Sequence, residues 1–169
     1  MNKFEQAQAA YATFLDDISS LTLATCSADG IPNASYAPFV TDDDRHFYIY
    51  ISGLSTHTQN LAATGKASIM AIEDEAKTAQ LFARARLTFE CTARELERET
   101  PHWEAIADRF ADRFGKIIDV FRPLADFRIV QLVPSSGRFV IGFGAAYDVS
   151  GDRLDRLIQV TGEGKGHGG

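Results

Sequence analysis

The chain is poor in the side chains that build metal clusters and disulfide frameworks, with two cysteines and four histidines in 169 residues. Cys26 and Cys91 sit inside apolar segments at no metal-ligand spacing. Both are expected to be buried thiols in a reducing compartment, not a disulfide. His46, His57, His102 and His167 are scattered. There is no HExxH pair, no GxxxxGK[ST] phosphate loop and no GxSxG elbow, and no GxGxxG fingerprint lies between a strand and a helix. These gaps weigh against the common nucleophile and metallohydrolase classes.

Long apolar runs are also missing: none approaches the roughly 20 residues needed to span a bilayer. The first twenty residues lack the apolar core of a signal peptide, so a cytoplasmic protein without a membrane partner is expected. Basic charge is short, with 17 Lys and Arg against 23 Asp and Glu and a net charge of −6. That balance argues against nucleic acid as the main partner, although a locally basic pocket for an anionic ligand stays open.

What is present suits one globular domain, residues 1–160, followed by a glycine-rich tail over residues 161–169. Phe4, Ala7, Tyr11, Phe14, Leu15 and Ile18 recur at helical steps and predict an amphipathic helix. Residues 21–26, 32–40, 46–51 and 67–72 read as strands, with a turn at Asp29-Gly30. Pro32 and Pro38 restrict the second of these to strand ends, edges or bulges. Ser55 is placed to cap a short helix carrying His57, Asn60 and Leu61.

Residues 81–92 alternate. Ala83, Ala85, Leu87, Phe89 and Cys91 point one way, and Arg84, Arg86, Thr88 and Glu90 the other. Thr100 and Pro101 open a helix whose buried stripe is Trp103, Ile106, Phe110, Phe114, Ile117 and Ile118, with Gly115 a weak point. Residues 127–133, 138–143 and 145–149 are three further strands. The sum is a mainly β, α+β fold: an antiparallel split β-barrel with flanking helices.

Few residues suggest chemistry by themselves. His167, set among glycines, reads either as part of a disordered tail or as an arm that docks when its imidazole meets a metal. Arg84 and Arg86 read either as a solvated strand face or as anion ligands lining a cavity. Asp126 reads as the carboxylate ending a Pro123-Leu124-Ala125 turn.

Several blocks in a fixed order carry a resemblance over almost the whole chain: residues 33–40 (NASYAPFV), 55–61 (STHTQNL), 68–75 (SIMAIEDE), 80–88 (QLFARARLT), 113–115 (RFG), 124–127 (LADF) and 142–147 (GFGAAY). Through them the chain resembles the haem-utilisation proteins of the HugZ/HutZ type, within the FMN-binding split barrels related to pyridoxamine 5′-phosphate oxidase. The resemblance implies a homodimer holding haem near the subunit interface and opening its porphyrin with dioxygen and an electron donor, so that iron is released for acquisition. It implies His167 as axial ligand, Asp126, from the other protomer, as the carboxylate orienting it, and Arg86 as the distal donor. It also keeps two alternatives in view: a haem carrier or storage protein, and an FMN-binding oxidoreductase using Arg84 and Arg86 for the phosphate.

Overall fold

The strand FYIYIS is apolar at nearly every position, as expected of a strand buried on both faces. In the computed structural model, which describes residues 2–160, it is β3 (Phe47–Ser52). Phe47, Ile49 and Ile51 point into a barrel, and Tyr48 and Tyr50 point outward into a second core beneath two helices. The other described strands are β1 (Ser20–Cys26), β2 (Pro32–Thr41), β4 (Lys66–Ile72), β5 (Arg86–Glu95), β6 (Phe127–Gly142), β7 (Ala145–Ser150) and β8 (Arg156–Gln159). All pair antiparallel in the order β3-β2-β1-β4-β5-β6-β7-β8, and β3 also pairs with β6, which closes six strands into a barrel.

β6 makes the closure possible because it is long enough to serve three neighbours. Its first third pairs with β3, its middle with β5 and its end with β7. Two separate strands were expected over this stretch. They form one because the irregularity between them is only a β-bulge, in which Glu90 faces Ser136, Cys91 faces Pro134, and Ser135 is the extra residue. Nearby, Gly137 lies against Phe89, where an added Cβ would stand 2.5 Å from the ring. β8 was not anticipated.

The helices follow local signals with three corrections. Helix α1 (Lys3–Thr13) opens on a capping box between Asn2 and Glu5 and ends before the expected Ile18. Phe14, Leu15 and Ile18 pack on the barrel from the turns that follow, so the helical spacing overshot the helix without misplacing the apolar side chains. Helix α2 (Thr56–Thr64) starts after Ser55, whose side chain makes no capping bond. Helix α3 (Pro101–Phe114) is capped by Thr100, whose hydroxyl accepts from the Trp103 amide. Gly115, at φ +76°, ends it, and the chain turns into α4 (Ile117–Phe121). The break rotates Ile117 out to 49 % exposure, while Ile118 stays buried. No described helix is long and apolar enough to cross a membrane.

Candidate functional site

The alternation of β5 holds from Arg86 onward: Leu87, Phe89 and Cys91 are buried, while Arg86, Thr88 and Glu90 lie on the outer face. It fails before Arg86. Residues Leu81–Ala83 form a 3-10 turn, because the Gln80 side chain accepts from the Phe82 amide and competes with strand formation. Arg84 therefore does not stand beside Arg86 on a strand. Its Nε donates to the Glu73 carbonyl at 2.7 Å, and its Nη1 pairs with Glu75 at 3.3 Å. Arg86 donates from Nη1 to the Arg84 carbonyl at 3.0 Å and forms no ion pair among the described residues. Around it are exposed apolar side chains: Leu81 and Phe82 on the 3-10 turn, Phe82 at 86 %, and Phe143 at 75 % on the β6–β7 hairpin.

Asp126 is exposed on the turn between α4 and β6. Its backbone carbonyl accepts from the Gly53 amide at 2.6 Å, and its carboxylate lies 3.4 Å from the Ser52 hydroxyl. Gly53 must be glycine here, since a Cβ would stand 2.8 Å from the Asp126 oxygen. Sequence reasoning missed both partners. An isolated glycine directly after a strand was the available signal for such a close backbone approach.

Asp126 and Arg86 are far apart within one chain. Phe127, next to Asp126, pairs with Ser52, while Arg86 pairs with Val140 near the other end of β6. The strand between Phe127 and Val140 has a contour of about 40 Å at about 3.3 Å per residue. The end of the described chain, by contrast, returns to Arg86. The Val160 amide bonds the Ala146 carbonyl, Ala146 pairs with Val140, and Val140 pairs with Arg86. Three strand spacings, about 14 Å, separate Val160 from Arg86. His167 itself, with the rest of residues 161–169, lies outside the described residues.

The other histidines have local partners. His57 Nδ1 lies 2.9 Å from the Ser35 hydroxyl, its Nε2 is buried without a partner, and burial lowers its pKa. His46 and His102 flank a polar knot on the outer core. Asp42 accepts from the Tyr48 hydroxyl at 2.7 Å and lies 3.0 Å from His46 Nδ1. Gln131 donates to Tyr48 at 2.9 Å and accepts from Arg94 at 3.2 Å, and His102 Nε2 lies 3.2 Å from the Tyr48 hydroxyl. Among the described residues no cluster of His, Cys, Asp or Glu is arranged to hold a metal. Both cysteines are free thiols: Cys91 is buried, and Cys26 is half-buried where full burial was expected.

Comparison with known proteins adds a lineage to this geometry. The profile of the family described as pyridoxamine 5′-phosphate oxidase matches residues 7–141. The heme oxygenase HutZ of Vibrio cholerae serotype O1 is 46 % identical over 147 residues, covering 87 % of this chain and 83 % of that protein. A crystal structure of Vibrio cholerae HutZ, described there as a heme storage protein, superposes with a TM-score of 0.76 at 38 % identity, over 80 % of this chain and 96 % of that one. Campylobacter jejuni ChuZ superposes with a TM-score of 0.85 at 34 % identity, over 99 % of this chain and 68 % of that one.

Proposed function

This chain belongs to the pyridoxamine 5′-phosphate oxidase family and, within it, to the HutZ-like haem-utilisation proteins, and on that premise we propose that it binds haem and opens the porphyrin oxidatively, releasing iron. The observation that carries the reading is the meeting of three features at one end of the sheet. Among the described residues Arg86 is paired with no carboxylate, Leu81, Phe82 and Phe143 are exposed beside it, and the chain leaves β8 three strands away. The seven residues from Val160 to His167 span at most about 25 Å, enough to return to Arg86.

The residues present fit a porphyrin. Its flat apolar body suits the exposed Leu81, Phe82 and Phe143, and Arg86 offers a planar fork of cationic donors. Arg84, already paired with Glu75, is the poorer donor. Haem, when bound, supplies the redox chemistry and is itself the substrate, with dioxygen and an external electron donor as co-reactants. His167 would hold it through an imidazole nitrogen. Asp126 would accept a hydrogen bond from Nδ1–H of that imidazole, fix its tautomer and raise its basicity. Arg86 would stabilise negative charge as it develops during the reaction.

Because some 40 Å of β6 lies between Arg86 and Asp126, the reading requires a homodimer in which Asp126 of the partner subunit meets His167. The outer face of β1 and β2, where Thr22, Ala24 and Tyr36 are exposed, suits a second copy. A cytoplasmic site, where reductant is at hand and thiols stay reduced, accords with the free Cys26 and Cys91.

Titrating the purified protein with ferric haem and following visible absorption tests the proposal. A saturable Soret band, converted to bilin absorption by reductant and oxygen, is expected. Saturable binding without conversion would instead make the protein a haem store, the role attached to the Vibrio cholerae crystal structure. Flavin absorbance with no haem affinity would mark an FMN-dependent oxidoreductase.

A further inference from the structure

Arg98 lies on the connection from β5 to α3, remote in sequence from every residue assigned above. Its guanidinium nevertheless reaches the turn that carries Asp126. Nη1 donates to the carbonyls of Leu124 at 3.2 Å and Phe127 at 3.3 Å, and Nη2 donates to the carbonyl of Arg122. The Arg98 Cζ lies over the Trp103 ring, 5.0 Å from the centroid. Trp103 is buried in the second core, so the cation is seated on a fixed platform.

The three accepting carbonyls belong to Arg122, which caps α4, to Leu124 in the turn and to Phe127, the first residue of β6, on either side of Asp126. A helix-end carbonyl such as that of Arg122 has no partner within its own helix, so a fork that takes it together with a turn carbonyl and a strand carbonyl fixes the segment between. The segment's other backbone bonds run from the Arg122 amide to Ile118, from Leu124 to Phe121 and from Phe127 to Leu124. Across the gap, Gly53 holds the Asp126 carbonyl at 2.6 Å. Among the described residues the carboxylate itself has only the 3.4 Å contact with Ser52. The aim of that carboxylate is therefore set by its backbone, and the backbone by Arg98 and Gly53.

We propose that Arg98 is a positioning residue for Asp126, clamping the turn from Arg122 to Phe127 so that the carboxylate is presented outward to the haem-ligating imidazole. The inference rests on the reading of Asp126 as the orienting carboxylate, and its test separates the two. Lysine at this position keeps the charge but cannot fork across three carbonyls or stack as a plane.

The test uses the full chain and two readouts. In the protein without haem, Arg98→Gln should speed hydrogen exchange of the Gly53 amide at least tenfold, while Ile49 and Leu132 amides keep their protection. In the ferrous haem complex, the iron–histidine stretching frequency reports imidazole basicity. Asp126→Asn should shift it, and Arg98→Gln should shift it in the same direction. Arg98→Lys, which guards against a glutamine variant that does not fold, should give a smaller shift of the same sign. A shift in Asp126→Asn with Gly53 exchange and frequency unchanged in the Arg98 variants overturns the clamp alone. An unchanged frequency in Asp126→Asn overturns the reading of Asp126 and the role of Arg98 with it.

Discussion

Asp126 and Arg86 stand at opposite ends of β6, Asp126 beside the residue that pairs with Ser52 and Arg86 opposite Val140. The strand between them has a contour of about 40 Å, longer than a porphyrin. A site using both is shared by two protomers, and a two-fold dimer then contains two such sites, each drawing Arg86 from one chain and Asp126 from the other.

Complementation follows from that sharing. Arg86→Leu and Asp126→Asn should each be deficient as homodimers. A heterodimer of the two holds one intact site and one doubly altered site, so it should recover about half the wild-type turnover. Heterodimers purified through two different tags and assayed for bilin formation give the answer, and no recovery would place both groups in sites confined to one chain.

His167→Ala should leave a folded barrel whose haem affinity is weakened on the order of tenfold or more, with an altered Soret band. An absorption spectrum identical to wild type at every haem ratio would remove His167 as the ligand.

The Asp42 carboxyl should give a pH-dependent contribution to stability. Burial alone would raise its pKa, but bonds from the Tyr48 hydroxyl and from the His46 amide and ring outweigh that and hold it below its usual value. A group depressed in the folded state stabilises above its unfolded pKa of about 3.9, and the contribution is lost as pH falls through the folded value. Asp42→Ala should therefore lose about 1–3 kcal/mol at pH 7, and less as pH drops below about 4. Urea melts at pH 7 and pH 3 measure the difference. An equal loss at both would mean that the carboxylate charge contributes nothing.

Gly53→Ala should be destabilising by about 1–3 kcal/mol, because the new methyl would meet the Asp126 carbonyl at 2.8 Å and one strand end must move. The displacement acts on the turn bearing Asp126, so haem affinity should fall together with the melting temperature. A variant matching wild type in both would show that the contact relaxes freely.

The Cys91 thiol is pushed up to about 12 by burial, so it should resist alkylation at pH 8 in the native protein. Iodoacetamide followed by peptide mass mapping should find Cys91 labelled only after unfolding, while half-buried Cys26 is labelled earlier. Rapid native labelling of Cys91 would mean that the barrel opens locally around β5.

The sequence was most legible where one face of an element is buried. Leu87, Phe89 and Cys91 alternate because β5 has a core on one side only, and β3 reads as an unbroken apolar run because it has a core on both. Legibility failed where a local bond or a distant partner chose the outcome. Arg84 matches the strand period, yet a side-chain cap from Gln80 turns the chain before it. Ile117 fits the helical stripe, yet Gly115 breaks the helix and faces it outward. The bulge at Ser135 joins two expected strands into one because β5 continues alongside both.

By itself, then, the sequence determined the class of fold, most strand positions and the family, and through the resemblance it pointed to His167, Asp126, Arg86 and Arg84 as candidates. Periodicity and ordered blocks are written residue by residue, and they need no knowledge of distant contacts. Only the tertiary structure decided that Arg86 and Asp126 lie at opposite ends of one strand and that Arg84 is held by Glu73 and Glu75. It also decided that β8 delivers the chain to within three strands of Arg86, and that Arg98 grips the Asp126 turn. Those relations join residues that are far apart in the chain. They are set by barrel closure and strand register, which no local pattern encodes.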